Sequence, residues 1–178
     1  MKYELYSGAG NDFVMINNIT EAIALDKQEE LTVRLCNENF PEIDGAIFAD
    51  KPFKDNSQVR MNYYNRDWSF GAMCGNGARC IAMFAYKNGI TDKKKITLEA
   101  VDDVYSAEIL SNEIVRVGFP EPKKIKADIK IEADTGNGLK PLNVSFVNVG
   151  SDHIILFMNE EINKLFLSCS SMYILDVD

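Results

Sequence analysis

One segment limits the possible folds more than any other. Residues 72–86, AMCGNGARCIAMFAY, carry a glycine-rich turn that runs directly into a helix-like stretch. From about Asn76 to Lys87, Ile81, Ala82, Phe84 and Ala85 form an apolar stripe at helical spacing. Asn88-Gly89 then supplies a left-handed stop. Most of the surrounding chain reads as short strands: KYELYSG and DFVMINN about a GAGND turn, DGAIFAD, QVRMNYYN, KKITLEAV, VYSAEIL and EIVRVGF. In QVRMNYYN, Val59, Met61 and Tyr63 alternate with Arg60, Asn62 and Tyr64. A second helical segment, LDKQEELTVRLCNENF, opens with Asp26 as the expected N-cap and Glu29 three residues later. The pattern predicts an α+β fold, with many antiparallel strands around a central helix.

Pro120 and Pro122 in FPEPKK mark a boundary. We expect a first lobe over 1–119 and a partial, strand-rich second lobe over 120–178. The second lobe contains IKADIKIEAD, a TGNG turn and LNVSFVNVGSDHIILF. A net charge of −8, with only the short basic run DKKK at 92–95, argues against a nucleic-acid partner. No apolar run approaches the roughly 20 residues of a membrane span, and the N-terminus lacks the apolar core of a signal peptide. The expected location is therefore cytoplasmic, with no membrane partner. The four cysteines, Cys36, Cys74, Cys80 and Cys169, make no Cys-x-x-Cys pair and are accompanied by a single histidine. Free thiols and no metal site are expected.

The chemistry centres on Cys74. A helix begins with unpaired N–H groups and a partial positive charge, which suit a carboxylate. Gly75 and Gly77 carry no Cβ, so a ligand can approach the backbone there. The same field favours the thiolate at Cys74. A carboxylate held beside a thiolate is a layout for removing the proton on the neighbouring carbon. Cys80 lies six residues on, roughly 240° around a helix, and is expected in the core. Cys36 reads as a small buried hydrophobe. A cysteine hydrolase would instead pair Cys74 with His153.

Several of these elements together resemble the diaminopimelate epimerase family: YSGAGNDFVMINN, DGAIF, YNRD, MCGNGARCIAMFAY and VNVGSDH, in that order along residues 1 to about 157. The resemblance implies two similar lobes, each a curled sheet around a central helix. It also implies cofactor-independent conversion of LL-diaminopimelate to the meso form, in lysine biosynthesis, by two acid–base groups on opposite faces of the α-carbon. By position it implies Cys74 as the first catalytic cysteine and His153 as a histidine of the catalytic site. Gly75 and Asn76 would offer N–H groups to the substrate carboxylate, and Asn11 and Asn65 would hold the substrate.

The chain departs from the family pattern in places. Asp67-Trp68-Ser69-Phe70 stands where the family reads Asp-Gly-Ser-Glu, and Ser151 stands at a substrate-asparagine position. From about residue 160 nothing matches, and Cys169 in FLSCSSMYILDVD lacks the glycine-rich setting of the family's second cysteine. The short chain is therefore expected to have little or no activity alone. The alternatives are a non-catalytic remnant, or a half-enzyme that binds a small amino acid and depends on a homodimer or a second-lobe partner.

Overall fold

The structure is a computed structural model, and it describes residues 1–40, 42–134, 139–157 and 172–174. The chain divides into two compact units, Met1–Phe119 and Pro120–Asp178.

In the first unit the long helix is the organising element. α3 (Gly75–Lys87) buries Ala78, Cys80, Ile81, Ala82, Met83, Phe84 and Ala85, so it is apolar around most of its circumference. Such a helix must be enclosed. Seven strands enclose it: β1 (Glu4–Gly8), β2 (Asn11–Asn17), β3 (Gly45–Asp50), β4 (Val59–Asn65), β5 (Lys95–Ala100), β6 (Asp103–Ile109) and β7 (Val115–Gly118). They form one sheet in sequential order, and α3 touches every strand of it.

The sheet is mixed, which corrects the expectation of an antiparallel one. β2 pairs with β3 in parallel, as does β4 with β5, while the other four neighbouring pairs are antiparallel. The reason is topological. Parallel neighbours need a crossover, and the two principal helices supply them. α1 (Asn18–Glu21) and α2 (Leu25–Arg34) link β2 to β3, and α3 links β4 to β5.

α2 and α3 lie on opposite faces of the sheet. Phe13, Met15, Ile47, Val59 and Met61 join the α3 core, while Val14, Ile16, Phe48 and Tyr64 pack with Leu31, Leu35 and Cys36 of the α2 segment. Strand alternation thus divides β2, β3 and β4 between two buried layers. Cys36 and Cys80 are both buried in these layers. Asp26 is not the N-cap of α2. Ala24 occupies that position, and Asp26 falls in the first turn, where its charge still complements the helix dipole. α2 continues into a π-helical turn, Leu35–Asn39.

The second unit contains β8 (Lys123–Asp134), β9 (Leu139–Asn148), β10 (Asp152–Leu156) and β11 (Met172–Ile174) in one sheet, ordered β11-β10-β9-β8. β8 and β9 pair with register shifts near Lys126, where Lys124 and Asp128 have positive φ. The TGNG segment and Cys169 lie outside the described residues.

Candidate active site

β1 and β2 are joined by a two-residue turn, Ala9-Gly10, with φ of 50° and 92°. Positive φ at both central residues matches the right-handed twist of a hairpin. The turn puts Asn11 at the start of β2, beside the first turn of α3. Gly8 packs so closely on that turn that a Cβ would lie 2.7 Å from the Asn76 carbonyl oxygen and 2.8 Å from Cys80 Sγ. Burial is the main reason the Cys80 thiol is pushed up to about 12, with the neighbouring Cys74 next. Cys80 stays neutral and structural.

Cys74 is the N-cap of α3, with extended φ and ψ of −107° and 112°. Its carbonyl accepts from Ala78 N–H, and its sulfur accepts the N–H of Gly77 at 3.3 Å. The thiol thus takes the place usually held by a Ser, Thr or Asp side chain. The N–H groups of Gly75 and Asn76 lie in the first turn, where no intrahelical acceptor exists. Cys74 is half-buried, so its sulfur combines shelter with access.

A side-chain relay braces this turn. Asn76 donates to Asn11 Oδ1 at 2.6 Å, and Asn11 donates to Asp44 Oδ2 at 3.1 Å. The same Asp44 oxygen accepts Asp12 N–H at 2.8 Å, and Arg79 donates to Asn76 Oδ1. Asn76 is thereby held through its side chain. Asp44 and Arg79 lie within quoted motifs, yet nothing in their local sequence signals this role, because the relay joins residues 65 and 33 positions apart.

Gly77 is not open to a ligand, contrary to the sequence reading. Its missing Cβ would lie 2.9 Å from Ile47 Cδ1, so the glycine lets α3 settle on β3. At Gly75, the Phe119 ring lies 3.0 Å from the corresponding position. Phe119 is 44% exposed and stacks edge-on against Tyr105.

Asn65 ends β4 opposite Gly45, one residue from Asp44. Its amide donates to Ser69 Oγ at 2.9 Å, and Ser69 in turn donates to Asp67 at 2.6 Å. These bonds shape a tight turn in which Trp68 adopts φ of 64°. Phe70 packs edge-on against Tyr64. The structure thus brings Cys74, Gly75, Asn76 and Asn11 together, with Asn65 at the neighbouring strand end. His153 belongs to β10 of the second unit, where it pairs with Val147 and its Nε2 lies 2.9 Å from Ser151 Oγ.

A groove of about 640 Å³ opens elsewhere in the first unit, between β1 and the segment leading into β7, with Arg79, Cys80 and Met83 from α3 among its lining. Cys74 does not line it. Among the described residues, no group of three or more His, Cys, Asp or Glu is placed to hold a metal ion.

A sheet wrapped on a central helix is a fold also seen in solved racemases and epimerases. The chain superposes on a hydroxyproline epimerase from Agrobacterium vitis with a TM-score of 0.65 at 12% identity, covering 88% of this chain and 52% of that one. A probable proline racemase from Agrobacterium radiobacter gives 0.64 at 15%, with the same coverages. At these identities the likeness concerns the fold alone. The sequence goes further: the diaminopimelate epimerase family model matches residues 3–125. The chain belongs to the diaminopimelate epimerase family. It is 32% identical over 166 residues to the diaminopimelate epimerase of Pelagibacter ubique, covering 86% of this chain and 58% of the relative. It is 33% identical over 154 residues to that of Chlorobaculum tepidum, covering 86% and 56%. The chain thus spans little more than half the length of these relatives.

Proposed function

We propose that this chain carries the first half-site of a diaminopimelate-type amino-acid epimerase. The Cys74 thiolate takes the α-proton of a bound amino acid. The electron pair left on carbon is delocalised into the α-carboxylate, which the Gly75 and Asn76 N–H groups hold. A second acid on the opposite face returns a proton, and the Cys74 thiol loses its own to restore the starting state. His153 is assigned to the vicinity of that second step, and Asn11 and Asn65 to the substrate's surroundings. Asn11 acts chiefly by bracing Asn76.

The observation that carries this reading is the Gly77 N–H to Cys74 Sγ contact at the start of α3. It sets the sulfur beside the first-turn N–H groups that a carboxylate would use. Proton abstraction is a general-base step worth about 10²–10⁴-fold, so its loss is readily measured.

The test is α-proton exchange in D₂O. Folded protein is incubated with LL- and meso-diaminopimelate, and the α-signal is followed by NMR, with Cys74→Ala as control. Exchange that depends on Cys74 supports the half-site, and stereoisomer analysis of the same sample reports the second acid. A folded protein without exchange would overturn the reading in favour of a non-catalytic binding or partner-dependent module.

A further inference from the structure

Tyr63 lies on the α3 face of β4, directly across from Ile47 in the β3–β4 register. Ile47 in turn fills the space over Gly77, whose Cβ position is 3.6 Å from Cys74 Sγ. Tyr63 is therefore one strand over from the residue that packs on Gly77, beside the thiol. Its ring is clamped. A Cβ on Gly45 would lie 2.8 Å from Tyr63 Cε2, and one on Gly71 would lie 2.6 Å from Cε1. Phe13 meets it edge-on at 5.7 Å. The Gly71 N–H donates to the Tyr63 carbonyl at 2.7 Å, and Cys74 follows three residues later. Two glycines thus make room for one aromatic ring at the root of the catalytic loop.

A clamp this close favours a fixed hydroxyl position, because a phenol has few rotamers to lose. That hydroxyl has no hydrogen-bond partner among the described residues, although the side chain is only partly buried. Burial, then the nearby Cys74 and Asp44, hold the phenol well above its ordinary range. It stays protonated, and so remains a donor, through neutral and mildly alkaline pH. A protonated phenol close to a thiol at a helix start is chemically suited to donate to a carboxylate drawn to that helix start.

We infer that the Tyr63 hydroxyl is a further substrate-positioning group, donating to the carboxylate held at the start of α3. This deepens the epimerase reading and rests on it for the identity of the substrate, but not for the existence of the donor.

The first test uses Cys74 alkylation, which needs no turnover. Iodoacetate carries a carboxylate and iodoacetamide does not. Their rates at Cys74 are followed by peptide-resolved mass spectrometry in wild type and Tyr63→Phe. A charge-assisted hydrogen bond implies that the iodoacetate-to-iodoacetamide rate ratio falls about tenfold in the variant. An unchanged ratio, or equal slowing with both reagents, would overturn the assignment, since loss of packing alone slows both. Acetate should also protect Cys74 from iodoacetamide about tenfold less well in Tyr63→Phe, and equal protection would count against the donor. Thermal unfolding checks that the variant is folded. If wild type shows no α-proton exchange yet the alkylation ratio falls, the epimerase reading fails and the Tyr63 assignment stands. If exchange occurs and the ratio does not change, the reverse holds.

Discussion

The two units use their strands to different effect. In the first, the strands surround an apolar helix and bury Phe13, Met15, Ile47, Val59, Met61, Ile96 and Leu98 against it. In the second, among the described residues, only Val144 and Leu156 are buried, while Ile125, Leu139 and Phe157 are 65–69% exposed. Alternating apolar residues do not make a core by themselves. A sheet face becomes an interior only where another layer covers it. In the first unit, α3 supplies that layer and also the N–H groups and thiol of the candidate site, so the packing and the proposed chemistry depend on the same helix.

The largest effects should come from the chemistry. Cys74→Ala should lower α-proton exchange at least about 100-fold, whereas His153→Ala should lower it about tenfold. Equal losses would place the two units on the same footing and remove the contrast.

Core truncation sharpens it in stability. Ile81→Ala, in the enclosed helix, should cost about 4 kcal/mol in urea unfolding, and Leu156→Ala about 2 kcal/mol, since a less enclosed site collapses around the gap. A larger cost at Leu156 would break the comparison.

Gly8→Ala should cost about 2 kcal/mol, because the new methyl meets the Asn76 backbone carbonyl as well as the buried Cys80 Sγ. It should also slow exchange by displacing the first turn of α3, and a neutral result would show that β1 does not fix that turn.

Trp68→Gly should stabilise the protein by about 1 kcal/mol, because Trp68 is held in the left-handed region that glycine adopts freely. A loss of stability would mean that the exposed indole makes a contact worth more than the strain.

The smallest effect at neutral pH concerns Cys80 and Tyr6. Burial is the first cause in both, and it raises Cys80 from 9.0 to about 12 and Tyr6 from 10.0 to about 12. The folded state therefore holds these protons more tightly than the unfolded chain. The resulting stability is fully present below pH 9 and is lost as pH rises towards 12. Cys80→Ala should flatten the start of that decline in alkaline unfolding curves, and an unchanged slope would exclude Cys80 as a source.

The local geometry of the candidate site could partly be read before any coordinates. The Cys-Gly-Asn-Gly sequence ahead of an apolar stripe placed a thiol at a helix start, and the Asn88-Gly89 stop agrees with the observed end of α3 and a φ of 69° at Gly89. The parallel pairs β2–β3 and β4–β5 were also legible in principle, since each follows a helical crossover, but strand composition alone suggested antiparallel neighbours. The purpose of Gly77 was misread, because a glycine that admits a ligand and one that admits a neighbouring isoleucine look the same in one dimension.

The sequence by itself determined the local elements. The 3.6-residue stripe of α3, the two-residue alternation of its strands and the Ala9-Gly10 turn follow from short-range sterics and burial of apolar side chains. Tertiary structure decided which distant residues meet. Asp44, Asn11 and Asn76 form one relay, Tyr63 is clamped between Gly45 and Gly71, and Cys74 is left half-buried at the start of α3 while Cys80 is buried. The reason is that hydrogen bonds and burial depend on distance in space, and a curled sheet brings together residues tens of positions apart in the chain.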